Sequence, residues 1–206
     1  MRWNSIAAVA ALALLALGAN VRADDTTKSD QFAQRLLAGK IAAKGKTYAC
    51  FTRRYDAAHL AKHPEQKVTA MRLLVSAEIL PEDKELNYGF QLAIEYRDRK
   101  GKFETSGSCG HPSAKDESPN RLQLGCGVDC DGGGLSVELA NGDKSTLIGI
   151  DRVAVWDNSK PGSERTGFDG GADDHLFRLD RTALDACRSL IQENEESNEE
   201  PKDSNS

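Results

Sequence analysis

The chain has 206 residues, 39% of them hydrophobic and 29% charged, with a formal net charge of −5. That length suits one domain with a substantial core and is short for two. The acidic balance argues against nucleic acid as a partner, because such binding depends on basic surface that displaces phosphate counterions.

Arg2 gives a short positive start, Ile6 to Leu17 is an unbroken apolar run, and Val21-Arg22-Ala23 places small residues where a signal peptidase reads. This predicts a signal peptide over residues 1–23, cleaved after Ala23. The apolar run of 12 residues falls short of the ~20 needed for a membrane-spanning helix. No cysteine stands at the start of the mature chain to carry a lipid. The expectation is a protein without a membrane span and not a lipoprotein, placed in the periplasm or secreted.

Without Arg2 and Arg22 the chain keeps 25 basic residues against 32 acidic, a net of −7. The segment 192–206 supplies −5 of that through six acidic residues and one lysine. Poor in apolar residues, this tail is expected to be disordered. A single β-rich globular domain is expected over residues 24–191.

Within it, Phe32, Leu36, Leu37 and Ile41 fall at helical spacing in Ser29–Ala43, which predicts an N-terminal helix. Asp56 to His63 reads as a shorter helix, capped by Asp56 and stopped by Pro64. The period then changes to two. Alternation predicts strands over Lys67–Ile79, around Phe90–Arg97, over Lys102–Cys109, and at Leu122–Cys126, where Cys126 should point inward. Leu135, Val137 and Leu139 mark another strand, and Asn141-Gly142 suits a two-residue hairpin turn into Ser145–Trp156. A last strand at His175–Leu179 leads to a helix over about Arg181–Gln192. Thr182 and Asp185 are its candidate cap pair, and Leu184, Cys187 and Ile191 its candidate buried face. The fold class read from this order is α+β and β-dominated: an antiparallel sheet curled into a sandwich or partly open barrel, with flanking N- and C-terminal helices.

Five cysteines follow the export segment: Cys50, Cys109, Cys126, Cys130 and Cys187. In an oxidising compartment they imply two disulfides and one leftover thiol, in any of fifteen arrangements. If Lys102–Cys109 and Arg121–Cys126 pair along their whole length, Cys109 and Cys126 stand at opposite ends. At ~3.3 Å per residue that exceeds the ~7 Å Cα limit for a disulfide. On this argument Cys126 pairs with Cys130, and Cys109 stays free. Cys50 with Cys187 would tie the terminal segments together, closing a loop worth about 4 to 5 kcal/mol.

The densest motif is Cys126-Gly127-Val128-Asp129-Cys130-Asp131-Gly132-Gly133-Gly134. Two thiolates at this spacing, with Asp129 and Asp131 beside them, could converge on a divalent metal. A disulfide-stapled turn, with glycines permitting a tight bend or close backbone contact, accounts for the motif more simply. His59 and His63, four apart on the short helix, have the spacing of a helical metal pair but lack the glutamate of a zinc protease. Cys109-Gly110-His111 places a thiol near an imidazole, as a cysteine nucleophile requires. No serine elbow, phosphate loop or dinucleotide fingerprint is present. Asp169 to Asp174 faintly echoes a calcium β-roll repeat, but a single copy cannot build that fold.

The Cys126–Gly134 motif, with Phe177-Arg178-Leu179-Asp180 and Tyr48-Ala49-Cys50, resembles a group of exported bacterial proteins to which no activity is assigned. The resemblance spans most of the mature chain and implies a bacterial periplasm or exterior. The expected function is a non-enzymatic, disulfide-stapled binding or structural module facing a protein or cell-envelope partner, with no cofactor. The alternatives are a metal-binding or thiol-redox protein using Cys126 and Cys130, and a hydrolase without a recognisable motif.

Overall fold

A computed structural model describes residues 29–80, 85–112, 122–160, 162–168 and 170–192. The predicted export segment, the acidic tail after Gln192 and most of the polar loop after Gly110 lie outside these residues, while Gln192 itself is helical. Nine strands are present: β1 (Thr47–Arg54), β2 (Val68–Ile79), β3 (Leu86–Tyr96), β4 (Phe103–Gly110), β5 (Gln123–Gly127), β6 (Gly133–Ala140), β7 (Ser145–Asp157), β8 (Thr166–Gly167) and β9 (Leu176–Thr182). Eight of them close into an antiparallel ring in the order β1-β2-β3-β4-β5-β6-β7-β9, while β8 pairs with β7 outside it. The β-dominated antiparallel class holds, and the sheet is a closed barrel.

Alternation fills the interior. Ala49 and Phe51, Leu73 and Val75, Phe90, Leu92 and Ile94, Val137, Ile148, Phe177 and Leu179 are all buried in one cluster. Packed side chains of this kind make the lumen a core, as expected for a small barrel. One end is stoppered by helix α1 (residues 29–36), which buries Phe32, Ala33 and Leu36 completely or nearly so. The helix stops where Ala38 and Gly39 take φ of 51° and 73°, and Gly39 N donates to Gln34 O at 2.8 Å. Left-handed residues at this position are a common helix terminator. Arg181 of β9 then donates to the Leu36 and Arg35 carbonyls and to Asp143 O. A guanidinium at the negative end of the helix dipole fastens the stopper to the rim.

The seams of the ring are unequal. The β2–β3 ladder runs from Val68 to Ile79, but β4 meets β5 only at Ser108–Gly110, and β1 meets β9 only at Cys50–Thr52. Strand β4 is the reason for the first short seam. Its start, Phe103 and Glu104, pairs with the end of β7, and its last three residues pair with β5. The β5–β6 hairpin thus wedges into a fork between β4 and β7. Gly107 lies at the fork, where a Cβ would come within 2.0 Å of Gly127 O; a side chain there would push the strands apart.

Each short seam carries a disulfide. Cys109 and Cys126 are cross-strand partners at a Cα distance of 4.0 Å. Cys50 of the β1–β9 seam is bonded to Cys187, Cα atoms 6.0 Å apart, just beyond the end of β9. The Cys50–Cys187 pairing matches the sequence expectation, but the Cys126–Cys130 staple and the free Cys109 do not. The difference is one of register: β5 begins beyond the end of β4, so Cys126 faces Cys109 at the end of β4 instead of the start of that strand.

Other departures have local causes. Strand β1 escaped notice because Tyr48, Ala49, Cys50 and Phe51 are apolar in sequence, with no alternation; Cys50 faces outward yet is buried under the C-terminal segment. The β6–β7 turn occupies Asn141–Lys144 instead of two residues, with Asn141, Gly142 and Asp143 all at positive φ. The C-terminal helix cannot begin at Arg181, because Asp180–Thr182 remain in the ladder with β1. A 3-10 turn, Leu184–Cys187, follows with Ala183 as its cap and no side-chain capping bond, and residues 188–192 continue it as the α-helical second half of the expected helix. Leu184 is therefore exposed, and Leu190 joins Cys187 and Ile191 in a small second core on the outer wall.

Candidate functional site

The sequence candidates do not converge. Cys126 is oxidised and faces the core beside Leu135, whereas Cys130 is an exposed free thiol. They form no dithiol. The Cys126–Gly134 motif is a close-packed turn: Val128 N donates to Gly133 O at 2.9 Å, Ala154 N to Gly132 O at 2.7 Å, and Arg165 to Cys130 O at 2.5 Å. Gly133 has φ of 75°, and a Cβ there would stand 2.0 Å from Arg152 O. Gly133 therefore serves close backbone contact against β7 and Gly134 against β5, as one reading of the motif expected. Asp129 and Asp131 are exposed on this turn.

His59 lies in α2 (Ala57–Lys62), where Asp56 caps the helix by accepting from His59 N at 2.7 Å. The His59 ring stacks between Tyr55 at 4.7 Å and His63 at 4.4 Å, and its Nε2 meets Gln66 Oε1 at 3.0 Å. Parallel stacking turns the two imidazoles face to face, which is the wrong presentation for sharing one ion. Among the described residues, no three His, Cys, Asp or Glu side chains come together as a metal cage. Cys109, held in a disulfide, is not an available nucleophile, and His111 packs edge-on against Phe32 and Tyr88. Asp174, at the end of the β-roll-like segment, is buried; its Oδ2 accepts from the Lys67, Val68 and Gly171 amides. It staples two loops together.

A different site stands on the outer wall, where β3, β4 and the end of β7 run side by side. Strand alternation aims Gln91, Glu104, Ser106 and Trp156 outward, and Glu104 and Trp156 are cross-strand neighbours. With Asn158 and Leu190 they line a cleft of about 310 Å³. Leu190 belongs to the C-terminal segment that Cys187 anchors, so the Cys50–Cys187 disulfide holds one wall of the cleft in place. Trp156 is partly buried against the barrel core, which leaves the rest of its indole facing the cleft.

The polar groups are positioned by the β4–β7 junction. Asp157 accepts from Lys102 N, from the Ser159 amide and hydroxyl, and meets Lys160 Nζ at 3.0 Å. The Ser159 hydroxyl and then Lys160 hold its carboxyl well below the usual carboxylate range. This knot presents the next residue, Asn158, whose Nδ2 donates to Glu104 Oε2 at 2.5 Å. Glu104 is 9% exposed, an unusual depth for a carboxylate that has no cationic partner at hydrogen-bond distance among the described residues. Gln91 Oε1 is buried with no hydrogen-bond partner among the described residues. Sequence reasoning passed over all four polar residues, since single polar positions on the outward face of strands look like ordinary solvated surface. The covered neighbours Ala93 and Leu74, apolar on that same face, were the available signal.

No family model matches the chain, and no curated protein or solved structure matches it. No helix of the described residues is long and apolar enough to cross a membrane.

Proposed function

We propose that the protein is an exported, non-enzymatic binding module that acts in the periplasm or outside the cell, with the Trp156 cleft as its ligand face. The observation that carries this reading is the placement of the Cys50–Cys187 disulfide: it pins the segment bearing Leu190 against the barrel and so builds one wall of the cleft. A long-range disulfide that positions a cleft wall preorganises the site, which lowers the entropic cost of binding. The cleft combines an aromatic surface with a few fixed polar groups, the common composition of small-molecule sites. The two oxidised pairs suit an oxidising compartment.

The metal-binding and thiol-redox alternative predicts a different behaviour. Protein purified from its export compartment should contain no stoichiometric divalent metal, and its melting temperature should be unchanged by a chelator. A bound ion whose removal lowers the melting temperature, or a reversible dithiol involving Cys130, would overturn the binding-module reading.

A further inference from the structure

From the chemistry of the outer wall we infer that the ligand is an uncharged polyhydroxylated chain, an oligosaccharide of several sugar units; this rests on the cleft being a binding site. Two neighbouring clefts share lining residues with the Trp156 cleft, and a chain-like ligand would span them as one groove. Through Glu104 the Trp156 cleft joins a second cleft of about 310 Å³ that reaches Arg72, Glu95 and Lys102, on the other side of Ala93. Through Gln91 and Ser106 it joins a third, of about 330 Å³, that reaches Ser76, Asn87, Glu78 and Lys46. The whole runs across the outer faces of β2, β3 and β4.

Three features of the groove select among ligand classes. Its lining is mixed in sign, with Lys46, Arg72 and Lys102 set among Glu78, Glu95 and Glu104 and with Glu95 already paired to Arg54, so neither a polyanion nor a polycation gains much from its field. An extended peptide would bind a sheet by adding a strand to a free edge, but β3, the floor of the groove, is paired with β2 and β4. Its backbone is already committed. What remains is side-chain chemistry: an indole flank, the amides of Gln91, Asn158 and Asn87, the hydroxyls of Ser76 and Ser106, and a buried carboxylate that accepts from Asn158. Carboxylate and amide oxygens accept hydroxyl protons, amide N–H groups donate to hydroxyl oxygens, and the indole offers an apolar platform to the C–H face of a sugar ring. Gly89 in the third cleft keeps the floor low, since a Cβ there would meet Ser76 Oγ at 2.9 Å.

The sequence has two tryptophans, Trp3 and Trp156, and Trp3 lies in the predicted leader. Emission of the mature chain therefore serves as a reporter on the cleft, and Trp156→Phe assigns the signal. The test titrates the mature protein with cellotetraose, chitotetraose and maltotetraose, with glucose as the single-unit control and an uncharged tetrapeptide as the competing class. Calorimetry runs in parallel.

The expected result is a saturable change in Trp156 emission with at least one tetrasaccharide, and binding about tenfold weaker in Glu104→Gln and in Gln91→Ala. Glucose should bind more weakly than the tetrasaccharide, as a groove of this length requires. Circular dichroism and melting confirm that each variant is folded, and Ser106→Ala gives a third variant that leaves the barrel core untouched. Saturable binding of the tetrapeptide alone, lost in Trp156→Phe, would overturn the oligosaccharide assignment while leaving the cleft a binding site. Silence from every ligand up to ~10 mM, in emission and calorimetry alike, would overturn the assignment and the cleft's binding role together.

Discussion

Tyr88 sits under the α1 stopper, in edge contact with Phe32 and His111 and with its hydroxyl unpaired among the described residues. Burial, aided by Asp30, pushes its pKa up to about 12. In the unfolded chain a tyrosine ionises near pH ~10, so the folded barrel resists a charge that the unfolded chain accepts. Stability linked to Tyr88 is complete below pH ~10 and falls as the pH rises toward 12. Spectrophotometric titration should show Tyr88 as a late-ionising tyrosine among the four, and Tyr88→Phe should remove that step and flatten the alkaline loss of stability. A titration in which all four ionise together near pH ~10 would refute the buried position. At this same scale the sequence was least informative. Cys130, Asp129 and Asp131 drew attention through a conspicuous motif that proves to be a turn, while Glu104 and Asn158 gave no signal because their roles depend on which strands lie next to each other.

At the scale of elements, each disulfide braces a seam of only three paired positions, β4–β5 or β1–β9. The loops they close are of different lengths, with sequence separations of 17 and 137. In the chain-entropy model these correspond to about 3 and about 5 kcal/mol. Replacing Cys109 and Cys126 together by alanine should cost about 3 kcal/mol in urea unfolding and accelerate amide exchange in β5 and β6. Replacing Cys50 and Cys187 together should cost about 5 kcal/mol and accelerate exchange in β9 and the Leu184–Cys187 turn. Exchange that rises evenly over the whole barrel in both cases would argue against local bracing. The elements themselves were largely legible, since seven strands and the Asp56-capped helix follow from period and punctuation. Their registers were not. Which residue of β4 faces Cys126 depends on the fork with β7, a contact between positions some fifty residues apart.

For the whole molecule, the architecture divides labour between its two faces. The lumen is a continuous apolar core, stoppered by α1 and fastened by Arg181, and the cleft proposed for recognition lies on the outer wall. There the C-terminal segment adds a second, smaller core of Cys50, Leu74, Ala93, Cys187 and Leu190, which forms the edge of the proposed ligand groove. Pattern alone pointed to a curled antiparallel sheet and to the β6–β7 hairpin, but closure was not readable from it, because the closing pairing β1–β9 joins Cys50 to Thr182 from opposite ends of the chain.

The central claim is that oxidation secures the β4–β5 and β1–β9 seams of the barrel, each of only three paired positions, and leaves Cys130 outside them. The most direct measurement is a non-reducing peptide map of the native protein after alkylation. It should yield one linked pair containing Cys50 and Cys187, one containing Cys109 and Cys126, and the alkyl label on Cys130 alone. A linked peptide joining Cys126 to Cys130, with the label on Cys109, would contradict both the register of β5 and the account built on it.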